Sequence, residues 1–216
     1  MNNFLKKNKP LAIVVLVSGS GSNLQSIIDS IADKTLNADI RAVISNKADA
    51  YAIERAGKAN IPIEIIEHDQ HDSRESFDAE LTQCIKKYQP QLIVLAGFMR
   101  ILSDDFVNHF YGKMINIHPS LLPRYQGLHT HQRVLDAGDD SHGLSIHYVS
   151  AELDSGPVIL QKSIPVLEHD TEESLAQRVL EQEHIAYPQV IQWFAEGRLQ
   201  LAGSQVIMND KPIADE

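Results

Sequence analysis

The chain has 216 residues, enough for one domain with a sizeable core, and its 43% apolar and 22% charged content excludes wholesale disorder. A net charge of −10 argues against broad electrostatic binding to nucleic acid or to an anionic membrane. One cysteine, Cys84, excludes an internal disulfide framework and a cysteine zinc cluster, and no apolar run approaches the ~18 residues of a membrane helix.

Lys6, Lys7 and Lys9 precede the apolar run 11–17, a pattern that superficially resembles a secretory signal. The run is short and Ile/Val-rich, so it reads as a buried first strand after a flexible tail at 1–10. Leu24, Ile27, Ile28 and Ile31 then recur at helical spacing over 23–32. Strand-like 39–45, helical 50–59 and strand-like 61–66 follow. A longer helix spans 73–88 with Ser73 as N-cap; Ser76 stands where Glu would complete a capping box, so no full box is expected. Pro90 ends it, and 91–96 is a continuous apolar strand. Such alternation implies βαβ units and a parallel sheet. Further on, 113–117 is a short strand, 119–127 a proline-punctuated loop and 130–137 a helix. Strands at 144–149 and 158–166 flank the turn Asp154-Ser-Gly-Pro157. Thr171 caps a long helix towards Arg198, expected to be interrupted near Pro188, and 199–207 can form a small hairpin.

The turn Ser18-Gly-Ser-Gly-Ser-Asn23 joins the first strand to the first helix. Consecutive N–H groups and a helix N-terminus suit a phosphate. A dinucleotide fingerprint does not fit: Leu24 holds the third glycine position, and Ser45-Asn46-Lys47 stands where a ribose-binding acid belongs. A Walker loop does not fit either, since Gly-Lys-Ser/Thr is missing. A βα turn without a ligand remains the plain alternative.

Met114-Ile-Asn-Ile-His-Pro119 carries the sharpest signal. Residues two apart share a face of a strand, so Asn116 and His118 project together while Ile115 and Ile117 face the core. The C-terminal end of a parallel strand is where α/β sheets place ligands. Histidine, with a reference pKa near ~6.5, moves protons at neutral pH, and an amide N–H can stabilise a developing oxyanion. Asp154 is a candidate carboxylate to orient the imidazole. The alternative is a strand-end histidine that only completes a hydrogen-bond network. His129, His131, His142 and His147 invite a metal reading, but HExxH is missing and Cys84 sits alone, so hydrogen-bonded histidines and no metal are expected. There is also no Gly-x-Ser-x-Gly nucleophile elbow.

Five segments occur in order: Ser18-Gly-Ser-Gly-Ser-Asn-Leu-Gln25, Ala96-Gly-Phe-Met-Arg-Ile-Leu102, Asn116-Ile-His-Pro-Ser-Leu-Leu-Pro123, His142-Gly and Glu152-Leu-Asp-Ser-Gly-Pro157. Together they resemble the short bacterial glycinamide ribonucleotide formyltransferases, from about Leu11 to the end of the long helix. The resemblance implies a single domain over 11–216 with a three-layer Rossmann-like formyltransferase fold around a mostly parallel sheet. It implies transfer of a formyl group from 10-formyltetrahydrofolate, as co-substrate, to the amine of glycinamide ribonucleotide in de novo purine synthesis. The family's catalytic residues fall on Asn116, His118 and Asp154, and its ribonucleotide contacts on Gly21, Ser22, Asn23 and Glu183. Its folate contacts fall on Arg74, Met99, Arg100, Ile101, Leu102 and Asn116. An exposed helical glutamate is the ordinary reading of a residue such as Glu183.

The resemblance further implies direct attack by the amine, with Asn116 and protonated His118 stabilising the tetrahedral intermediate and Asp154 holding His118. Methionyl-tRNA formyltransferase resembles the Asn-x-His and Leu-Leu-Pro region, but that family normally adds a C-terminal domain and basic surface for tRNA. Formyltetrahydrofolate deformylase, with water as acceptor, usually adds an N-terminal regulatory domain, for which a first strand at Leu11 leaves no room. A nucleotide-binding module without chemistry is the reading from another class. The expected protein is cytoplasmic, a monomer or weak homodimer, without nucleic-acid or membrane partners. Sequence offers only the ~5–6% base rate for a cis bond at Pro123.

Overall fold

The computed structural model describes residues 9–213, so most of the expected tail lies outside the described residues. The first strand β1 (Leu11–Val17) is buried along its whole length. A strand buried on both faces needs a layer on each, and the molecule supplies them. One seven-stranded sheet has the order β3-β2-β1-β4-β5-β6-β7. The strands are β2 (Ala38–Ser45), β3 (Ile63–Ile65), β4 (Leu92–Leu95), β5 (Met114–His118), β6 (Ser141–Tyr148) and β7 (Val158–Pro165). Strands β1 to β5 are mutually parallel, and β6 and β7 add antiparallel pairs at one edge.

Alternation along β1 divides the core. Ile13, Val15 and Val17 join Leu24 and Ile27 of α1 (Ser22–Ala32), Ala52 and Ala56 of α2 (Tyr51–Lys58), and Val179, Ala186 and Tyr187 of α6 (Glu172–Ala195). Val14 and Leu16 join Phe77, Leu81 and Ile85 of α3 (Arg74–Tyr88) and Phe106 of α4 (Asp104–His109) on the other face. A fifth helix, α5 (Thr130–Ala137), follows the proline-rich loop. After α6 the chain forms a small antiparallel sheet of β8 (Leu199–Ala202), β9 (Gln205–Met208) and β10 (Lys211–Pro212). The three-layer α/β arrangement is the expected one.

Four local features differ from expectation. The Ser73–Ser76 pair does complete a capping box: Ser73 Oγ accepts from Ser76 N, and the Ser76 hydroxyl accepts from Ser73 N. Serine is long enough for a role that the usual pattern gives to Glu. Thr171 and Ser174 repeat the device on α6. That helix runs through Pro188 without interruption, because Tyr187, Pro188, Val190 and Ile191 are all buried and packing outweighs one lost backbone bond. The short helix α4 went unforeseen, since six residues give little periodicity; Ser103 caps it by accepting from Phe106 N.

Candidate active site

The C-terminal ends of β1, β4 and β5 lie side by side. Tyr187 of α6 ties β4 to β5, its buried hydroxyl sharing one proton between the carbonyls of Leu95 and Ile115 at 2.8 and 3.2 Å. The candidate binding groups lie at this edge, at the β1–α1 turn and at the end of β5.

The β1–α1 turn presents main-chain donors. Gly21, with φ +69°, is the N-cap of α1 and makes no side-chain cap bond. The first intrahelical bond is Gln25 N to Gly21 O, so the N–H groups of Ser22, Asn23 and Leu24 stay open for an anion. Gly21 itself answers to a protein neighbour. A Cβ there would lie 2.6 Å from Ala52 Cβ, so glycine lets α2 approach, whereas Gly19 has open space. Arg55 of α2, which carried no role in the sequence reading, donates from Nε to Ser20 O at 2.8 Å and from Nη1 to Gln25 Oε1 at 3.1 Å. This places a guanidinium on the turn.

Glu183 reaches the same turn from α6. It is buried at 6% exposure, not a solvated helical glutamate, and its Oε2 accepts from Asn23 Nδ2 at 2.7 Å. Burial pushes its pKa up to about 7, against the pull of the Asn23 bond. Asn23 Oδ1 and, on the next residue of α6, His184 Nε2 are buried without a partner among the described residues, so the turn retains unspent polar groups. Burial, then the charge of Arg55, hold the His184 pKa below its ordinary value.

At β5 the alternation holds as expected: Ile115 and Ile117 enter the core, and Asn116 and His118 line a cavity of about 520 Å³. Met99, Arg100, Ile101, Leu128, Leu153 and Asp154 share that wall. A smaller cavity of about 100 Å³ shares Arg100, Ile101, Asn116 and Asp154 and adds Leu102 and His147. Arg74 lines neither; it opens α3 as an exposed residue, while Phe77 one turn on lies 4.4 Å under the Arg100 guanidinium.

His118 is 6% exposed. Its Nε2–H donates to the Tyr125 carbonyl at 2.9 Å, and Nδ1 lies 3.5 Å from Asp154 Oδ2. Both nitrogens thus face oxygen atoms, with the firm bond at Nε2. The separation of 3.5 Å is longer than an ordinary hydrogen bond, so Nδ1 is not committed to Asp154 and can turn to a ligand atom. Asp154 takes its firm bond from Gly127 N at 2.9 Å. The tight orienting partner of the imidazole is therefore a loop carbonyl, with the Asp154 carboxylate beside it.

Asn116 Nδ2 donates to His147 Nε2 at 3.2 Å, and His147 Nδ1–H donates to the Tyr148 carbonyl at 2.9 Å. Burial lowers the His147 pKa, which keeps Nε2 free to accept. Asp154 sits at φ +49° in the turn after β6. Gln126 Nε2 bridges the two loops, donating to Asp154 O at 3.2 Å and Ser155 Oγ at 2.8 Å. The Leu122–Pro123 bond is cis, in a loop held by Ser145 Oγ, which accepts from Leu122 N and donates to Ser120 O.

His131 and His142 do meet, Nδ1 to Nε2 at 2.9 Å, but His129 and His147 take no part in that contact. Burial, then His131, press the His142 pKa down to about 4, and burial lowers that of His131, so the pair is neutral at pH 7 with one donor and one acceptor. Among the described residues no three His, Cys, Asp or Glu side chains are placed to hold a metal ion, and no helix is long and apolar enough to cross a membrane. Arg55, Tyr125, Gly127, His147 and His184 are the site groups that sequence reading did not assign. Two of them act through the main chain, which carries no residue-type signal, and His147 alone had been considered, as a metal ligand.

Comparison with known proteins places the chain in a family. Residues 11–191 match the formyl transferase family. The phosphoribosylglycinamide formyltransferase of Escherichia coli is 54% identical over 189 residues, covering 88% of this chain and 89% of the relative. The solved phosphoribosylglycinamide formyltransferase of Coxiella burnetii superposes with a TM-score of 0.92 at 54% identity, over 95% of this chain and 96% of that one. Glycinamide ribonucleotide transformylase 1 of Symbiobacterium toebii gives 0.90 at 40% identity, over 96% and 98%. The chain belongs to the formyl transferase family, among its phosphoribosylglycinamide formyltransferases.

Proposed function

We propose that the chain moves the formyl group of 10-formyltetrahydrofolate onto the amine of glycinamide ribonucleotide, giving formyl-glycinamide ribonucleotide and tetrahydrofolate. One observation carries the proposal: His118, set between the Tyr125 carbonyl and the Asp154 carboxylate, shares a cavity wall with the Asn116 amide. The ribonucleotide phosphate takes the open N–H groups of Ser22 and Asn23 at Gly21, with Glu183 beside it. The folate takes the large cavity, where Met99, Ile101, Leu128 and Leu153 supply apolar wall and Arg100 a cation. Arg74, the exposed first residue of the helix whose Phe77 lies under Arg100, is assigned to the outer, anionic part of the folate.

The neutral amine attacks the formyl carbon. Its nitrogen forms the new C–N bond, and the carbonyl electrons move to oxygen. The second Asn116 Nδ2 proton and the His118 Nδ1 proton stabilise that oxyanion. The intermediate collapses as the bond to the folate nitrogen breaks, and the proton lost by the amine passes to that nitrogen with His118 as relay. Holding the two substrates at adjacent strand ends supplies much of the rate. No acyl-enzyme is required. We read residues 11–216 as one domain acting in the cytoplasm in purine biosynthesis.

A spectrophotometric assay with a 10-formyl folate, with and without glycinamide ribonucleotide, tests the proposal. Deformylated folate released only with the ribonucleotide supports it. Release without the ribonucleotide makes water the acceptor and overturns it, as does no release under either condition.

A further inference from the structure

The segment between β4 and α4 carries Met99, Arg100, Ile101 and Leu102 and is neither helix nor strand. Met99 and Ile101 are 68% and 54% exposed, Leu102 is buried and the Arg100 guanidinium lies over the Phe77 ring, so side-chain packing holds only part of the segment. Two hydrogen bonds hold its ends. Met99 N donates to Ser18 Oγ at 2.8 Å, and Ser103 N donates to Asp78 Oδ2 at 2.6 Å. Between these points the N–H groups of Arg100, Ile101 and Leu102 have no acceptor among the described residues.

Both anchors are buried side chains of other elements. Ser18 follows β1 directly, and its hydroxyl proton is committed to Asn46 Oδ1 at 2.5 Å, so towards Met99 it can only accept. Asp78, on α3, is 3% exposed and bonds through Oδ2; its Oδ1 has no partner among the described residues. A carboxyl buried for stability would have both oxygens satisfied, because an unmet buried acceptor is destabilising. The arrangement makes sense if the position of Ser103 is what it secures.

We propose that Ser18 and Asp78 are positioning residues for the folate, suspending segment 99–103 at two points so that its free N–H groups and the Arg100 guanidinium stand at the cavity wall. The inference rests on the reading of that cavity as the folate site. It has one unexpected consequence: Ser18 opens the phosphate turn, yet its hydroxyl sets affinity for the other substrate.

Calorimetric binding of a 10-formyl folate and of glycinamide ribonucleotide, each to wild type, Ser18→Ala, Asp78→Ala and Asp78→Asn, tests this. Loss of pre-organisation in Ser18→Ala and Asp78→Ala is expected to weaken folate by ~10-fold or more and the ribonucleotide by less than ~2-fold. Asp78→Asn keeps an acceptor oxygen for Ser103 N and is expected to restore most folate affinity, an outcome that general loss of stability would not produce. Should Asp78→Ala fail to fold, Ser18→Ala and Asp78→Asn still decide. Unchanged folate affinity in Ser18→Ala, or equal weakening of both ligands, overturns the proposal. Wild type that binds no folate overturns the functional reading together with it, whereas folate-binding wild type with unaltered variants overturns the anchors alone.

Discussion

At the β1–α1 turn the groups offered to a ligand are main-chain donors, the open N–H groups of the first helical turn, with Glu183 brought to them from 160 residues away. At the end of β5 they are side chains two residues apart on one strand, Asn116 and His118, with a loop carbonyl and Asp154 closing round the imidazole. The first arrangement binds charge through many weak, redundant contacts. The second places two specific protons at one point. Loss of one group is therefore expected to cost little at the turn and much at the strand, and variants at either place can break that contrast.

The largest effect is expected at β5. His118→Ala removes one oxyanion donor and the proton relay together, so turnover should fall by ~10²–10⁴-fold while the ribonucleotide KM and the melting temperature hardly move. Near wild-type turnover would mean that the strand end binds and does no chemistry. Asp154→Asn keeps an acceptor for Gly127 N but removes the charge beside His118 Nδ1, so a loss of ~10²-fold is expected.

At the turn the exception to redundancy is Gly21. A methyl group there meets Ala52 Cβ at 2.6 Å and Cα at 2.8 Å and sits on a backbone of positive φ. Gly21→Ala should destabilise the fold by roughly 2–4 kcal/mol, read as a lower denaturant midpoint. Stability equal to wild type would show that α2 can withdraw from the turn, and that the glycine serves the ligand after all.

Glu183 sharpens the contrast through pH. Its folded pKa of about 7 lies above the ordinary 4.5, so between these values the folded chain holds more protons than the unfolded chain. The stability linked to this carboxyl is then fully present below about 4.5 and is lost as pH rises through about 7. Roughly 3 kcal/mol is at stake. Glu183→Gln should flatten that part of the profile in denaturant titrations between pH 5 and 8. An unchanged profile would place the titration elsewhere.

What could be read from the chain follows the same division. Alternation along β5 places its residues as expected, because a period of two fixes which side chains share a face, and the continuous apolar run 11–17 marks β1 as a buried strand. Asn116 and His118 were visible for that reason, and Gly21 to Asn23 because turn chemistry is local. The Tyr125 carbonyl on His118 was not visible, since every residue has a carbonyl and only the loop's path selects one. Nor was the burial of Glu183, which depends on the packing of α6 against α1 that brings residue 183 to Asn23. The Asp78–Ser103 bond escaped for both reasons, with a main-chain donor and a partner on another helix.

Asn23→Ala is expected to give the smallest effect. The variant keeps all three open N–H groups of the turn, so the phosphate loses at most one contact and the ribonucleotide KM should rise only ~3–10-fold, with folate KM and turnover unchanged. The variant does more to Glu183, whose carboxylate loses the Asn23 Nδ2 donor that holds its pKa down. The pH-dependent loss of stability should then move to higher pH than in wild type. A large rise in ribonucleotide KM without that movement would mean that the Asn23 side chain itself, not the backbone around it, carries the phosphate, and the contrast between the two ends of the site would fail.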